Sequence, residues 1–270
     1  MPSSPLNSKL LNAVLERLSP SRVTPDLAGL DSLLGAYTRC VPWESAFRIV
    51  KKGSHNDPSD CPRWPEEFWL DNLERGGGGT CFESNYAFYA LLLALGFRGY
   101  LTINNMGDSI GCHTAIVLML DGSKWLVDAG LPLHAPLPLN PSGVTGRRSP
   151  FFRYSVKPEG AGCYEIERNP HPLPYAFTLV DRPVSDAIYR AATAADYGEN
   201  GLFLDRVIVN RVIGERLWRF NAGERPWRFD TFTWGEREEH IIVGDPSASV
   251  AQRFGMKKEV ITNALRLTGV

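Results

Sequence analysis

The chain has 270 residues and a formal net charge of -1, with 43% hydrophobic and 22% charged residues. This composition is that of an ordinary globular protein, and it excludes extensive disorder and the strongly basic surface of a dedicated nucleic-acid-binding protein. The N-terminal residues lack the pattern of a signal peptide, and the longest apolar run, residues 87–95, is too short to cross a bilayer. We therefore expect a cytoplasmic protein with neither membrane nor nucleic-acid partners.

Cysteine usage argues against both a disulfide framework and a zinc site. The five cysteines are an odd number, widely spaced and without a Cys-x-x-Cys pair; they are Cys40, Cys61, Cys81, Cys112 and Cys163. In a reducing compartment such thiols serve either packing or chemistry. No metal is expected.

The first third of the chain has helical periodicity. Apolar residues recur at helical spacing from Leu10 to Leu18, which predicts a first helix. Thr24 and Pro25 predict the start of a second helix, with proline at its first position. Residues 51–64 have the polar, proline-containing composition of a loop, and residues 65–76 predict a further helix that stops at a glycine.

After residue 96 the segments become short, aromatic or β-branched, and bounded by turn residues. They predict antiparallel strands at 99–106, 112–120, 123–129, 150–157, 162–167 and 174–180, which we expect to form a small barrel. A helix at 183–195, strands at 203–213 and 239–243, and one or two terminal helices complete the prediction. The order is a helical block, a β block and a mixed block.

The most informative stretch is a run of four glycines, residues 76–79, followed by Thr80, Cys81 and an apolar helical segment. Thr80 and Glu83 have the spacing of a capping box, which places Cys81 in the first turn of a helix. Free backbone N–H groups and the positive end of the helix dipole favour a thiolate there, and the same donors can hold an oxyanion. The glycines would leave the approach to the sulfur open. A buried cysteine beneath a phosphate-binding glycine loop remains an alternative.

A second signal lies in two apolar segments around Asp121 and Gly122, which predict a hairpin with a type I′ turn. In that register Leu120 opposes Ser123, so His113 and Asp128 share one face of the hairpin as diagonal neighbours. An aspartate in an apolar strand needs a partner, and the imidazole provides one. Cysteine, histidine and aspartate then fit a thiol triad of nucleophile, base and orienting acid, with a structural turn-capping Asp128 as the alternative.

These segments resemble the arylamine N-acetyltransferase family. That family carries Arg-Gly-Gly-x-Cys-Phe-Glu-x-Asn around its nucleophile, a histidine before an apolar strand, and Leu-Val-Asp-Val-Gly. The corresponding stretches here are residues 78–85, 113–118 and 126–130. Further similarity lies in Pro-Trp-Glu-Ser at 42–45, the Pro-Leu segment at 135–139 and Phe-Gly-Met at 254–256.

The resemblance implies an α+β fold with an N-terminal helical bundle, a central antiparallel β-barrel and a C-terminal α/β lid around a Cys-His-Asp core like that of thiol proteases. We place these parts at residues 1–96, 97–182 and 183–270. It assigns Cys81 as nucleophile, His113 as base and Asp128 as the acid that orients the base. It also implies acetyl-CoA or another acyl-CoA as co-substrate, with no bound cofactor, and a small-molecule amine as acceptor. By motif position, Trp43 and Phe82 are candidates to line the acyl pocket.

Two departures from the family pattern stand out. Gly77 occupies the place of the family's arginine, and Arg75 lies two residues further from the cysteine, so Arg75 is a weaker functional candidate. The segment 197–201 lacks the family's usual Thr and Ser. Donor and acceptor identity are therefore less constrained than the triad, and the residues that bind the co-substrate are not assigned.

Other functions stay open at this point. Cys112 beside His113 suggests a metal site, but adjacent strand residues point to opposite faces and cannot easily chelate together. The same triad would also suit an amide synthase, a thiol hydrolase, or a binding protein of the same fold that has lost turnover.

Overall fold

The structure, a computed structural model, describes residues 6–199 and 201–269. Residues 1–5, Asn200 and Val270 lie outside the described part, and with them the N-terminal segment considered for a signal peptide. A short 3₁₀ turn at Pro58–Asp60 accompanies the α-helices. The helices are α1 Ser8–Leu18, α2 Leu27–Cys40, α3 Ala46–Ser54, α4 Pro65–Arg75, α5 Cys81–Ala94, α6 Asp186–Ala195, α7 Pro246–Phe254 and α8 Lys258–Leu267.

Two predictions about the helical part are wrong in detail. Helix α2 begins at Leu27 because Asp26 is its N-cap, accepting a hydrogen bond from the Gly29 N–H, so Pro25 precedes the helix. Residues 51–54 continue α3, although they were predicted as loop. Helix α3 is stabilised by residues far away in sequence, because its apolar side packs against α7 and α8 in a C-terminal core. The local sequence does not reveal this packing.

The described strands form two antiparallel sheets. They are β1 Trp43–Glu44, β2 Gly99–Met106, β3 Ser109–Leu120, β4 Ser123–Val127, β5 Leu137–Leu139, β6 Thr145–Arg148, β7 Arg153–Gly160, β8 Cys163–Asn169, β9 Tyr175–Val180, β10 Ile208–Ile213, β11 Arg216–Asn221, β12 Arg228–Thr233 and β13 Glu236–Ile241.

The larger sheet is a nearly closed barrel with the strand order β5-β4-β3-β2-β9-β8-β7-β6. Its two end strands approach each other, and the Thr145 hydroxyl of β6 donates to the Pro138 carbonyl of β5. The predicted hairpin is confirmed: Asp121 and Gly122 have φ of 48° and 75°, and Leu120 pairs with Ser123. The two strands missed by the sequence prediction, β5 and β6, have only three and four residues.

The smaller sheet has the order β1-β10-β11-β12-β13. The sequence predicted two of these strands and missed the two-residue β1 as well as β11 and β12. The alternation in β11 and β12 is masked by charged residues that pair across the sheet, for example Asp230 with Arg219 at 3.7 Å and with Arg237 at 2.9 Å. The α+β class and its barrel are confirmed.

Helix α5 lies between the helical bundle and the barrel, and its residues 81–92 are all buried. A helix covered on every side is apolar all round, which explains why its sequence shows no single apolar face. Strand β1 and helix α3 belong to the first 96 residues but pair or pack with the C-terminal sheet and helices. The division at residues 96 and 182 stays a prediction.

Candidate active site

Cys81 is the first residue of α5, preceded by Thr80 in an extended conformation. The predicted helix start is therefore confirmed, but the predicted capping box is wrong. The Thr80 side chain makes no cap hydrogen bond, and the Glu83 carboxylate accepts from the Arg63 backbone N–H at 2.9 Å and the Tyr197 hydroxyl at 2.5 Å. The guanidinium of Arg63 also donates to the Glu83 carboxylate, through Nε at 3.1 Å. Because this charge-assisted bond is stronger than a bond to a neutral N–H, the carboxylate does not cap the helix. The first N–H groups of α5 have no partner within the helix.

The glycines of residues 76–79 permit close packing rather than an open approach to the sulfur. Gly77, Gly78 and Gly79 are buried. A β-carbon at Gly78 would lie 1.7 Å from the Pro42 carbonyl oxygen, and one at Gly77 would lie 2.6 Å from the Phe47 ring. The loop is thus pressed against the segment that contains β1, and no side chain fits between them.

His113 and Asp128 are in contact, as the hairpin register predicts: His113 Nε2 lies 2.6 Å from Asp128 Oδ2. From the triad order we expect His113 Nδ1 against the Asp128 carboxylate, and this expectation is wrong. Residues placed diagonally on a hairpin are far apart at Cβ, and Nε2 is the ring nitrogen further from the backbone, so it spans the gap. Nδ1 is thereby left for the Cys81 side chain, which also raises the pKa of His113. The Cys81 sulfur donates to the Cys112 backbone carbonyl at 3.7 Å.

The Asp128 carboxylate is fully buried and its oxygens are well satisfied. Oδ1 accepts from Asn85 Nδ2 at 2.9 Å and from the backbone N–H groups of Gly130 and Leu131 at 2.7 and 2.9 Å. Asn85 is fixed in turn, because its Oδ1 accepts from the Ala129 N–H at 2.8 Å. Sequence reasoning missed Asn85 as a functional residue, although its spacing of four from Cys81 puts both on one face of α5.

The electrostatics favour a charged His113. Burial lowers the pKa of His113, but the Asp128 carboxylate and then the Cys81 side chain outweigh burial and raise the pKa to about 10. An imidazolium beside a cysteine favours the thiolate, which is the nucleophilic form. The three side chains can therefore act together as nucleophile, proton carrier and orienting acid.

Comparison with known proteins places the chain in a family. A family model described as N-acetyltransferase matches residues 26–221, and solved structures similar over nearly the whole chain are arylamine N-acetyltransferases. The chain belongs to the arylamine N-acetyltransferase family. An uncharacterized acetyltransferase of Acanthamoeba polyphaga mimivirus is 32% identical over 107 residues, which is 37% of this chain and 50% of that protein. The chain spans about half the length of the curated relatives it matches.

Two solved structures of the family show how far the fold is shared. The Mycobacterium marinum arylamine N-acetyltransferase in complex with CoA is 18% identical, with a TM-score of 0.79 over 96% of this chain and 97% of that one. A Bacillus cereus arylamine N-acetyltransferase with a Cys-His-Glu catalytic triad is also 18% identical, with a TM-score of 0.74 over 93% of this chain and 99% of that one. At this level of identity the likeness shows the fold.

The remaining candidates suggested by family resemblance lie around the glycine loop. Trp43 pairs with Gly79 in an isolated bridge, and its half-buried ring packs against Phe203 at 5.0 Å. Phe82 is 1% exposed and packs on Tyr189, so it offers no free surface to a ligand. Arg75 is 42% exposed and its guanidinium binds the Asp71 carboxylate.

We expect Cys81 to be the fastest-reacting cysteine near neutral pH, because His113 and the start of α5 stabilise its thiolate. Burial raises the pKa of the Cys112 thiol and of the Cys61 thiol, which disfavours their reactive forms. Peptide mapping after treatment with limiting iodoacetamide measures the order of modification. Faster modification of Cys112 or Cys163 would show that Cys81 is not the activated thiol.

We also expect the His113–Asp128 pair to make stability depend on pH. Because the folded-state pKa is raised from 6.5 to about 10, its contribution is complete below pH 6.5 and is lost as pH rises through 10. The difference in the free energy of unfolding between the wild type and His113→Gln should therefore shrink over this interval. Urea denaturation of both proteins across the interval measures it, and a constant difference would contradict an imidazolium in the folded state.

Proposed function

We propose that this family member transfers an acetyl or other short acyl group from coenzyme A to an arylamine, hydrazine or hydroxylamine. Cys81 is the nucleophile, His113 the general base and acid, and Asp128 the residue that orients and charges the imidazole. The observation that carries this proposal is the 2.6 Å contact between His113 Nε2 and Asp128 Oδ2, beside a Cys81 side chain that raises the pKa of His113.

The reaction proceeds in two halves. The Cys81 thiolate attacks the thioester carbonyl, and backbone N–H groups at the start of α5 stabilise the oxyanion. The C–S bond to coenzyme A breaks, and the leaving thiolate takes a proton from the His113 imidazolium. In the second half an amine attacks the Cys81 thioester, neutral His113 accepts its proton, and Cys81 leaves as a thiolate, which restores the resting ion pair.

Support for the donor comes from the Mycobacterium marinum structure, which is a complex with CoA. In the Bacillus cereus protein the acid of the triad is a glutamate, whereas here it is Asp128. We propose a free acyl-CoA as co-substrate, without a bound cofactor, and a small-molecule amine as the acceptor. Trp43 and Phe203 lie beside the glycine loop and are our candidates for contacts with the aromatic acceptor.

Metal, membrane and location are separate expectations. Within residues 6–199 and 201–269 no three His, Cys, Asp or Glu side chains come together in a way that could hold a metal ion. In the same ranges no helix has both the length and the apolar character needed to cross a membrane. The reaction above uses no metal, and a cytoplasmic location, like the lack of membrane and nucleic-acid partners, stays a prediction.

The test is a matrix of initial rates in which acetyl-CoA and an aromatic amine are both varied, with release of the CoA thiol as readout. Parallel double-reciprocal lines are expected, because a covalent intermediate separates the two half-reactions. Intersecting lines would contradict the proposed order. CoA release that is equally fast without amine indicates a thiol hydrolase. No release from acyl-CoA but turnover of a carrier-bound acyl group indicates an amide synthase, and no turnover at all a binding protein.

A further inference from the structure

Arg63 lies beneath the glycine loop and is fully buried, with none of its side chain exposed. Its Nη2 donates to the Gly78 carbonyl at 2.6 Å, and its Nε donates to Glu83 Oε2 at 3.1 Å. Its Nη1 lies 3.3 Å from Asp71 Oδ2. The guanidinium therefore joins the loop before Cys81 to the first turn of α5 and to helix α4.

The family's motif arginine has no room at its own place in this chain. A β-carbon at Gly77 would meet the Phe47 ring at 2.6 Å. The guanidinium groups of Arg63 and Arg75 both lie 4.7 Å from the centroid of that same ring. Of the two, Arg63 is the one that is fully buried and donates to the loop itself, at the Gly78 carbonyl. Arg75, the arginine nearest to the loop in sequence, binds Asp71 at the edge of this cluster, and its side chain is 42% exposed.

Glu44 binds the same residue of the glycine loop as Arg63 does, Gly78. Its Oε1 accepts from the Gly78 N–H at 3.2 Å, and its Oε2 accepts from the Phe47 N–H at 2.9 Å. The N–H and the carbonyl of Gly78 are thus held by Glu44 and Arg63, whose charged atoms lie 3.9 Å apart. A loop fixed at both polar groups of one residue keeps the backbone that leads into Cys81 in one position.

The charge of Arg63 has a second consequence for Cys81. Glu44, Glu83 and Asp71 place three buried carboxyl groups close to the start of α5. Uncompensated, their negative charge would oppose a thiolate at the same helix end. Arg63 contacts all three and offsets this charge from within the protein.

We infer that Arg63 is a positioning residue for the nucleophile: it holds the glycine loop in place and offsets the carboxylates beneath α5, so that Cys81 is presented as a thiolate. This inference rests on the proposed function, in which Cys81 forms the thioester. It assigns to Arg63 the role that motif position alone would give to Arg75 or to residue 77.

The test compares Arg63→Gln, Arg63→Lys and the matched control Arg75→Gln. For each protein the rate of Cys81 alkylation by iodoacetamide is measured across pH, with kcat and KM for acetyl transfer and the melting temperature. Alkylation does not require acyl transfer, so it reports on the thiolate even if the proposed function is wrong. Failure of the wild type to form an acetyl thioester would count against the proposed function alone.

We expect Arg63→Gln to raise the pH of half-maximal alkylation by about one unit, which means about tenfold less thiolate below the transition. Arg63→Lys keeps the positive charge but loses the planar guanidinium that donates to several partners at once. It should retain most of the pH dependence of alkylation, and its kcat should fall about tenfold with little change in KM. Arg75→Gln should keep the wild-type profile. A purely structural arginine would lower the melting temperature without moving the profile.

Two results would overturn the inference. One is that Arg63→Gln and Arg75→Gln have the same pH dependence of alkylation and the same kcat. The other applies if Arg63→Gln does not fold: an Arg63→Lys protein with unchanged kcat would show that a point charge suffices and that the loop does not need the guanidinium.

Discussion

Asp128→Asn is expected to slow acyl transfer by about 10⁴-fold, the loss that the same change causes in a serine-type triad. The substitution keeps the shape of the side chain and removes the charge that raises the pKa of His113. The orientation of the new amide is constrained. Position Oδ1 accepts from two backbone N–H groups, those of Gly130 and Leu131, which cannot become acceptors. The amide oxygen must stay there, so its NH₂ group faces His113 Nε2.

That NH₂ group would force Nε2 to accept a hydrogen bond, which fixes the imidazole proton on Nδ1 facing Cys81. An imidazole in this tautomer cannot take the thiol proton without placing an imidazolium N–H against the amide N–H. Alkylation of Cys81 should therefore slow together with turnover, while the melting temperature changes by only a few degrees. Single-turnover acetylation, alkylation and thermal unfolding of the variant measure the three effects. A fully active, folded Asp128→Asn protein would mean that Asp128 is structural.

Gly130→Ala is expected to lower the rate of acyl transfer at least about 100-fold, because misplacing a reacting group by about 1 Å has an effect of this size. A β-carbon at Gly130 would lie 2.2 Å from Cys81 Cα and 2.7 Å from Cys81 Cβ. No rotamer change relieves a clash with a Cα atom, so the loop after Asp128 and the start of α5 must separate. The overpacked site should also lose about 1–3 kcal/mol of the free energy of unfolding.

Gly143→Ala is the matched control, because nothing lies within 4 Å of its β-carbon position. It should keep wild-type acetylation, alkylation and stability. Rates of acetyl transfer and urea unfolding curves of the two variants measure the difference. A Gly130→Ala protein as active as Gly143→Ala would show that the contact between this loop and Cys81 is not needed for catalysis.

The local parts of the site could be predicted from the sequence because they depend on short-range rules. Asp121 and Gly122 set the hairpin register, and that register alone brings His113 to Asp128. The glycine run and the apolar segment after it likewise set the start of α5 at Cys81. In each case neighbouring residues determine the geometry.

The parts that were missed depend on contacts between segments far apart in sequence. Glu83 has the spacing of a capping residue but binds Arg63, twenty residues away. Strands β11 and β12 carry charged residues whose pairing across the sheet is visible only once the sheet is assembled. The orientation of the His113 ring, with Nε2 toward Asp128, also depends on Cys81, which lies on a different element. The alternation of side chains along a strand predicts the face on which His113 lies, but not the orientation of its ring.

The most direct measurement of the central claim is the mass of the intact protein after brief incubation with acetyl-CoA in the absence of an amine. We predict the addition of one acetyl group per chain, located by peptide mapping on Cys81, absent from Cys81→Ala, and lost when an aromatic amine is added, with one equivalent of acetylated amine formed. An unmodified Cys81, or an acetyl group on another residue that persists after the amine is added, would contradict a thioester at Cys81.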